Sequence, residues 1–348
     1  MRIRLIVAIL VAAALLLPHA QPWLKTPFIM ALANGLAVLG AIILIRAGQV
    51  SFGSAMFACI AGYAATFAAR LWQWDALALI VVGTTAGALL GALVGLFMVR
   101  YRGIFFGMLN LAFSMVLFSI IVKFSRITNG TDGLRLPRPT IAGMTLERDV
   151  YETVLLVIAV ASAALCGWLV QRYFRSAAGQ TLAAIKTNET RLEYLGISPK
   201  RVFWVGYVIA AALCGLGGSL FALTQGLVTP EMGYWVRSAE IVFIAILGGA
   251  GHALGAFLGA FVFEFAKLYL AAYLQGAWQM ALGIVLLIII FAAPAGLFGL
   301  VARLLPGNRS PVGHTPGGRT PGGRTQDGRT PSDRDPDNAS PLDKGARP

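Results

Sequence analysis

Side chains able to do chemistry are sparse in this sequence. Glu264 and Lys267 are the ionisable residues set deepest in an apolar run, three positions apart on one predicted helix, where opposite charges can pair. Ionisable groups inside a membrane are costly and default to functional roles. A proton relay and a mutually neutralised structural pair are the two readings, and the spacing favours the pair. His19, His252 and His314 stand apart from any Ser, Cys or carboxylate pattern that would build a nucleophile or a metal site. Cys59, Cys166 and Cys214 lie in apolar runs without ligand spacing, as small packing residues do. Asn129-Gly130-Thr131 matches a glycosylation sequon but reads as a turn. Asn34, Gln49, Ser51, Asn110 and Ser114 are uncharged polar residues in or beside apolar runs. Each is a candidate for a translocation path, and each equally suits an interhelical hydrogen bond. No catalytic constellation and no metal site emerges.

The elements that must position these residues are membrane helices. Of 348 residues 57% are hydrophobic and only 12% charged, about half the charge that a water-covered domain carries. Runs long enough to span a bilayer fall at about 5–23, 27–45, 51–69, 76–98, 104–122, 151–170, 203–224 and 278–301. The stretch 239–273 is too long for one helix and is divided by LGGAGHALG (247–255), so two crossings are expected there. The fold class expected is an all-α integral membrane protein of about ten transmembrane helices. The first run, behind Arg2 and Arg4, resembles a signal peptide but is read as a retained helix. Gly248, Gly249, Gly251, Gly255 and Gly259 are expected to let helix backbones approach closely. Gly83, Gly87, Gly91 and Gly95 make one smooth face, suited to a neighbouring helix or to a second subunit.

Between two apolar runs lies RSAAGQTLAAIKTNETRLEYLGISPKRVFW (175–204). Helix formers fill 180–195, Gly196 is placed to stop a helix, and Ser198-Pro199 discourages continuation. Leu182, Ile185, Leu192 and Leu195 share one face of an amphipathic helix of about four turns, too polar to span. Arg46, Arg100, Arg102, Arg172, Arg175, Lys186, Arg191, Lys200 and Arg201 fall on the same side of the membrane in a ten-span topology, which makes that side cytoplasmic. The helix either rests on headgroups or docks a cytoplasmic partner.

Several stretches then resemble, in order, the permeases of ABC importers for branched-chain amino acids, the LivM-like subunit. They are GQVSFGSAMFACIAGYAAT (48–66), RGIFFGMLNLAFS (102–114) with TNGTDGL (128–134), the 179–196 segment, GLVTPEMGYWVRSAEIVFIAILGGAGHALGAFLGA (226–260) and PAGLFG (294–299). The resemblance covers about 40 to 305. It implies a cytoplasmic coupling helix at about 179–196, with Gly179, Leu182, Ile185, Asn188, Glu189, Leu192 and Gly196 as ATPase-docking residues. It further implies a second homologous permease subunit, two cytoplasmic ATPase subunits, an extracytoplasmic solute-binding protein, and residence in the bacterial cytoplasmic membrane among lipid. The substrate class implied is branched-chain amino acids or a related small polar solute such as urea or an amide. Gln180, Ser54, Asn110 and His252 depart from the family pattern at a basic residue, a histidine, a threonine and a small hydroxyl residue respectively.

No G-x-x-x-x-G-K-[ST] phosphate loop occurs in the sequence. The chain is therefore expected to bind no cofactor and not to be an enzyme, with ATP used by partner subunits. From Gly307 to Pro348 the phrase GGRTP/GGRTQ/DGRTP recurs with almost no apolar residues. A permease domain over 1–306 and a disordered low-complexity tail over 307–348 are expected. There is no folded basic module for nucleic acid. An ATP-independent secondary transporter or channel is the other function class, though neither a convincing repeat nor several intramembrane charges support it.

Overall fold

The computed structural model describes residues 22–141, 143–144, 146–273, 277–292 and 296–299. The expected first span at 5–23 falls almost wholly outside them, and the tail expected over 307–348 lies entirely outside. Eleven helices longer than one turn run through the described residues: α1 (Lys25–Arg46), α2 (Ser54–Trp72), α3 (Ala76–Met98), α4 (Gly103–Lys123), α5 (Arg148–Arg175), α6 (Ala177–Ile185), α7 (Glu189–Tyr194), α8 (Pro199–Gln225), α9 (Trp235–Gly248), α10 (Ala253–Tyr273) and α11 (Trp278–Ala292). Seven of them, α1 to α5, α8 and α10, are long and apolar enough to cross a bilayer. The chain is an all-α, multi-pass membrane protein.

Helix α1 is the enclosed centre, buried almost continuously from Phe28 to Leu44. A helix apolar all round is stable only when surrounded, and here α5, α8 and α10 surround it. The core divides along α1. Around Arg46 it holds Ile42, Ile43, Phe57, Phe106, Phe203 and Tyr207. Around Lys25 it holds Phe28, Leu32, Tyr63, Leu155 and Leu223. By contrast α3 and α4 turn Leu89, Leu93, Ile104 and Phe105 outward, a surface for lipid or another apolar partner rather than water.

The α3 glycines meet α8. A Cβ on Gly83 would lie 2.1 Å from Ser219 Oγ, one on Gly91 2.2 Å from the Ala211 Cβ, and one on Gly95 2.9 Å from the Tyr207 ring. Gly87 faces Gly215. The smooth face thus belongs to a helix pair within the chain, as small residues do in membrane packing.

Of the two crossings expected over 239–273, only α10 is a helix long and apolar enough to make one. Helix α8 ends at Gly226, whose φ of +65 suits glycine, and Leu227–Val228 pairs antiparallel with Leu134–Arg135. The chain then runs without α-helix through Pro230–Gly233 into the bundle. Ser114, midway along α4, donates to the Gly233 carbonyl at 2.6 Å, and Gly233 lies against Cys59 of α2. Helix α9 starts only there. Its 14 residues rise about 21 Å, short of the roughly 30 Å hydrocarbon thickness. Between α8 and α9 the chain holds only the two-residue strand Leu227–Val228 and the 3-10 turn Pro230–Gly233, since a proline there disfavours continuing α8.

At its far end α9 turns tightly into α10. A Cβ on Gly248 would lie 2.0 Å from the Gly255 carbonyl oxygen, and one on Gly259 2.7 Å from that of Ile244. Gly249 carries the turn at φ +89. Gly251 has open space around it, so the close approach expected there is absent. His252 accepts the Leu254 N–H at 3.1 Å through Nδ1 and stacks on Phe298.

Candidate functional site

The segment expected to be one helix is two. Ser176 caps α6 by accepting the Gly179 N–H at 3.3 Å. The helix stops at Ile185, because Asn188 turns extended and its side chain accepts the Arg191 N–H at 3.1 Å, capping α7 instead. Helix α7 ends in a Schellman motif, with Gly196 N–H bonded to Glu193 C=O (2.9 Å) and Ile197 N–H to Leu192 C=O (3.0 Å). Gly196 adopts φ +75, the left-handed conformation its glycine permits. Gly179 is no terminator. It sits inside α6, where a Cβ would lie 2.1 Å from the Tyr173 carbonyl oxygen.

Burial divides the expected docking residues. Leu182, Ile185 and Leu192 are buried in the chain's own core, with Leu182 packed on Gly206 of α8, and Gly179 is buried too. Those four hold the helix pair to the bundle and offer no surface to a partner. Leu195, expected on the same apolar face, is 69% exposed, and Tyr194 beside it is 88% exposed. The break at Asn188 rotates α7 relative to α6, and this is why the continuous-helix register fails. Asn188 and Gly196 are exposed, with Arg191 and Glu193. Glu189 accepts from Arg102 Nε at 2.5 Å, and the Arg102 guanidinium lies over the Phe203 ring, 4.5 Å from its centroid. Arg102 opens α4 and Phe203 opens α8, so one ion pair joins α7 to two spanning helices.

The five uncharged path candidates are scattered. Gln49 accepts the Gly103 N–H at 2.7 Å, tying the α1–α2 connection to α4. Ser51 accepts locally from Gly53 N–H at 3.3 Å. Asn110 donates to the Phe106 carbonyl (2.9 Å) and accepts from the Tyr207 hydroxyl (2.5 Å). Ser114 holds Gly233 as described. Asn34, near the middle of α1, donates its amide to Glu264 near the middle of α10. Among these only Asn34 lines the small cavity of about 20 Å³ at the contact of α1, α2, α8 and α9.

The two charges of α10, Glu264 and Lys267, both make contacts across helices. Glu264 takes the Asn34 amide. Lys267 stands 3.7 Å from Glu240, which also accepts from Arg237 at 2.5 Å. Arg237 stacks over Phe221 of α8 at 5.3 Å and lines the same cavity as Asn34. Neither Arg237 nor Glu240 stands among the candidates read from the sequence. The signal was available: an Arg and a Glu three apart at the head of the apolar run IVFIAIL. The cysteines are free, and among the described residues no His, Cys, Asp and Glu cluster is arranged to hold a metal.

A family model described as "Branched-chain amino acid transport system / permease component" matches residues 26–293. The chain is 26% identical over 285 residues to the high-affinity branched-chain amino acid transport system permease protein LivM of Escherichia coli, covering 76% of this chain and 64% of that protein. The Salmonella typhimurium LivM is 27% identical with the same coverage. LivH of Escherichia coli is 28% identical over 129 residues, 37% of this chain and 41% of its own length. The chain thus spans somewhat less than two thirds of the LivM proteins it matches. No solved structure gives a significant match. With the family pattern running from the head of α1 to the end of α11, the chain belongs to the family of permease components of branched-chain amino acid transport systems.

Proposed function

We propose that the chain is a permease subunit of an ATP-binding cassette importer that moves branched-chain amino acids across the bacterial cytoplasmic membrane. Its partners in this reading are a second, similar permease, two cytoplasmic ATPases and an extracytoplasmic solute-binding protein. The likeness to both LivM and LivH supports a paired permease. The sequence lacks a phosphate loop, so ATP is bound and hydrolysed by the partners.

The observation that carries the reading is the α6–α7 pair. Its apolar face is clamped into the bundle through Leu182, Ile185 and Leu192, while Tyr194, Leu195, Arg191 and Glu193 stand outward. An exposed Tyr–Leu pair flanked by charges is an anchor for a protein partner. The Arg102–Glu189 ion pair lets force on α7 reach α4 and α8, as a rigid lever requires. In this reading the ATPases dock on the exposed side of α7, with buried Leu182, Ile185 and Leu192 as its mount.

Co-purification with cognate ATPases tests this. Substituting Tyr194→Asp and Leu195→Asp together is expected to release the ATPases while the permease remains folded in the membrane. Undiminished co-purification would move docking elsewhere. Leucine uptake by the purified chain without any ATPase would overturn the importer reading itself.

A further inference from the structure

Beside the head of the short helix α9 the bundle holds a polar corner. Non-helical backbone at membrane depth is tolerated only where protein buries it or where it lines a cavity. Here Gly226–Tyr234 descends to the level of Ser114 and Cys59, and the cavity beside it is lined by Met232, Arg237 and Asn34. Arg237 and Asn34 each carry a carboxylate as partner, Glu240 for the first and Glu264 for the second. With Lys267 the cluster holds two cations and two anions, so its formal charge is zero. Such a cluster disfavours entry of a net ion, which would leave a charge uncompensated in low dielectric. A zwitterion brings none.

The geometry points to this corner as a station for an aliphatic zwitterionic amino acid on its way through the permease, an inference that rests on the importer reading. The solute's carboxylate exchanges with Glu240 on the Arg237 guanidinium, which offers a planar two-donor fork. Its ammonium exchanges with the Asn34 amide on Glu264. Its aliphatic side chain lies against Phe221, Met232 and Ile241 of the cavity wall. When Arg237 turns to the solute, Glu240 keeps Lys267, 3.7 Å away, as its counter-charge, so its carboxylate is not left uncompensated during passage. The cavity of about 20 Å³ has room for about one water, so the solute enters only as the wall opens. The segment carrying Met232 is the part of that wall without α-helix. A two-residue ladder to Leu134–Arg135 and the Ser114 bond tie it to the rest of the bundle.

The test uses the complete transporter in proteoliposomes, with radiolabelled leucine and ATP hydrolysis measured in parallel. The double variant Arg237→Gln/Glu240→Gln removes one cation and one anion, so the corner keeps a formal charge of zero with Glu264 and Lys267, and the amide oxygen at position 240 can still accept from Lys267. If the pair only packs, that change is close to neutral. If Arg237 binds the carboxylate, leucine uptake falls about tenfold or more, while hydrolysis stimulated by the loaded binding protein stays within about twofold. Arg237→Lys keeps the charge but loses the fork and is expected to raise the transport KM, which keeps the inference testable should the double variant fail to fold. Parent-like uptake and KM in these variants would overturn the inference alone. Absence of ATP-dependent uptake by the parent transporter would overturn the importer reading and the station with it.

Discussion

Along the α3–α8 seam two helices meet through the smallest side chains, with Gly83, Gly87, Gly91 and Gly95 against Ser219, Gly215, Ala211 and Tyr207. At the corner of α1, α9 and α10 the same bundle closes through Asn34, Glu264, Arg237, Glu240 and Lys267. Both face the same difficulty. In lipid no hydrophobic effect drives helices together, so shape or polar bonds must do it. Shape has one solution: a seam of touching backbones admits no alternative partner and tolerates no added atom. Polar bonds can be exchanged for bonds to something else. A permease needs a part that stays and a part that can let a solute through, and the two modes of closure divide along that line.

The contrast breaks most sharply at Gly91. A Cβ there would lie 2.2 Å from that of Ala211, so Gly91→Leu is expected to cost about 3 kcal/mol by overpacking and to deplete folded protein in the membrane. Fluorescence-detected size exclusion of the detergent-extracted chain reads this directly. Gly251, with nothing near it, is the control: Gly251→Ala should change the melting point little, within about 0.5 kcal/mol. Equal tolerance at both positions would mean that the seam is not closed by shape.

At the corner the prediction concerns pairs, not volumes. Asn34→Leu strips Glu264 of its donor and is expected to destabilise by about 1 kcal/mol, toward the low end of the cost of an unsatisfied polar group because Glu264 is only half-buried. Adding Glu264→Met should recover most of that loss, since removing both partners of a polar pair is close to neutral. Thermal melts of the two variants and the parent decide it. A double variant no better than the single would mean that Glu264 stabilises the fold through groups other than Asn34.

How much of this was readable beforehand depends on the reach of each interaction. Long apolar runs are local, and α1, α3, α4 and α8 fall within a few residues of their expected spans. The Gly196 stop was equally legible, since a Schellman motif involves only neighbouring residues. The break at Asn188 was missed because a capping side chain competes with continued helix on nearly even terms, and the helix-forming residues around it favoured continuation. Leu195 was misplaced as a consequence. The half-length α9 was missed for the opposite reason: what holds Gly226–Tyr234 inside the bundle is Ser114, Cys59 and Leu134, all far away in sequence. Glu264 and Lys267 were recognised, but their partners Asn34 and Glu240 lie on other helices, where spacing along one chain segment says nothing.

The α6–α7 mount lies between these extremes, since it is held by packed leucines and by one exchangeable ion pair. Arg102 and Glu189 are both partly open to solvent, so their coupling is expected to be about 1 kcal/mol or less in a double-mutant cycle of Arg102→Gln and Glu189→Gln. Stability will hardly register it. Transport should: with the lever loosened, ATP hydrolysis is expected to persist while leucine uptake per ATP declines. Unchanged stoichiometry would leave Leu182, Ile185 and Leu192 as the whole mount.

The smallest expected effect belongs to the turn that joins α9 to α10, where touching glycines stand beside one titratable group. Burial lowers the His252 pKa first, with the positive charges of Arg175 and Arg46 adding to it. The folded chain therefore takes up this proton at lower pH than the unfolded chain, whose ordinary value is about 6.5. The contribution of neutral His252 is fully present above that value and is lost as pH falls through the lowered one. Chemistry gives the same sign, since protonated Nδ1 can no longer accept the Leu254 N–H. Replacing the residue by His252→Ser should flatten the fall in melting temperature between about pH 7.5 and 5.5 by the equivalent of about 1 kcal/mol or less. If instead the variant melts with the parent's pH dependence, acid acts on the bundle elsewhere, and the turn is held by Gly248, Gly255 and Gly259 alone.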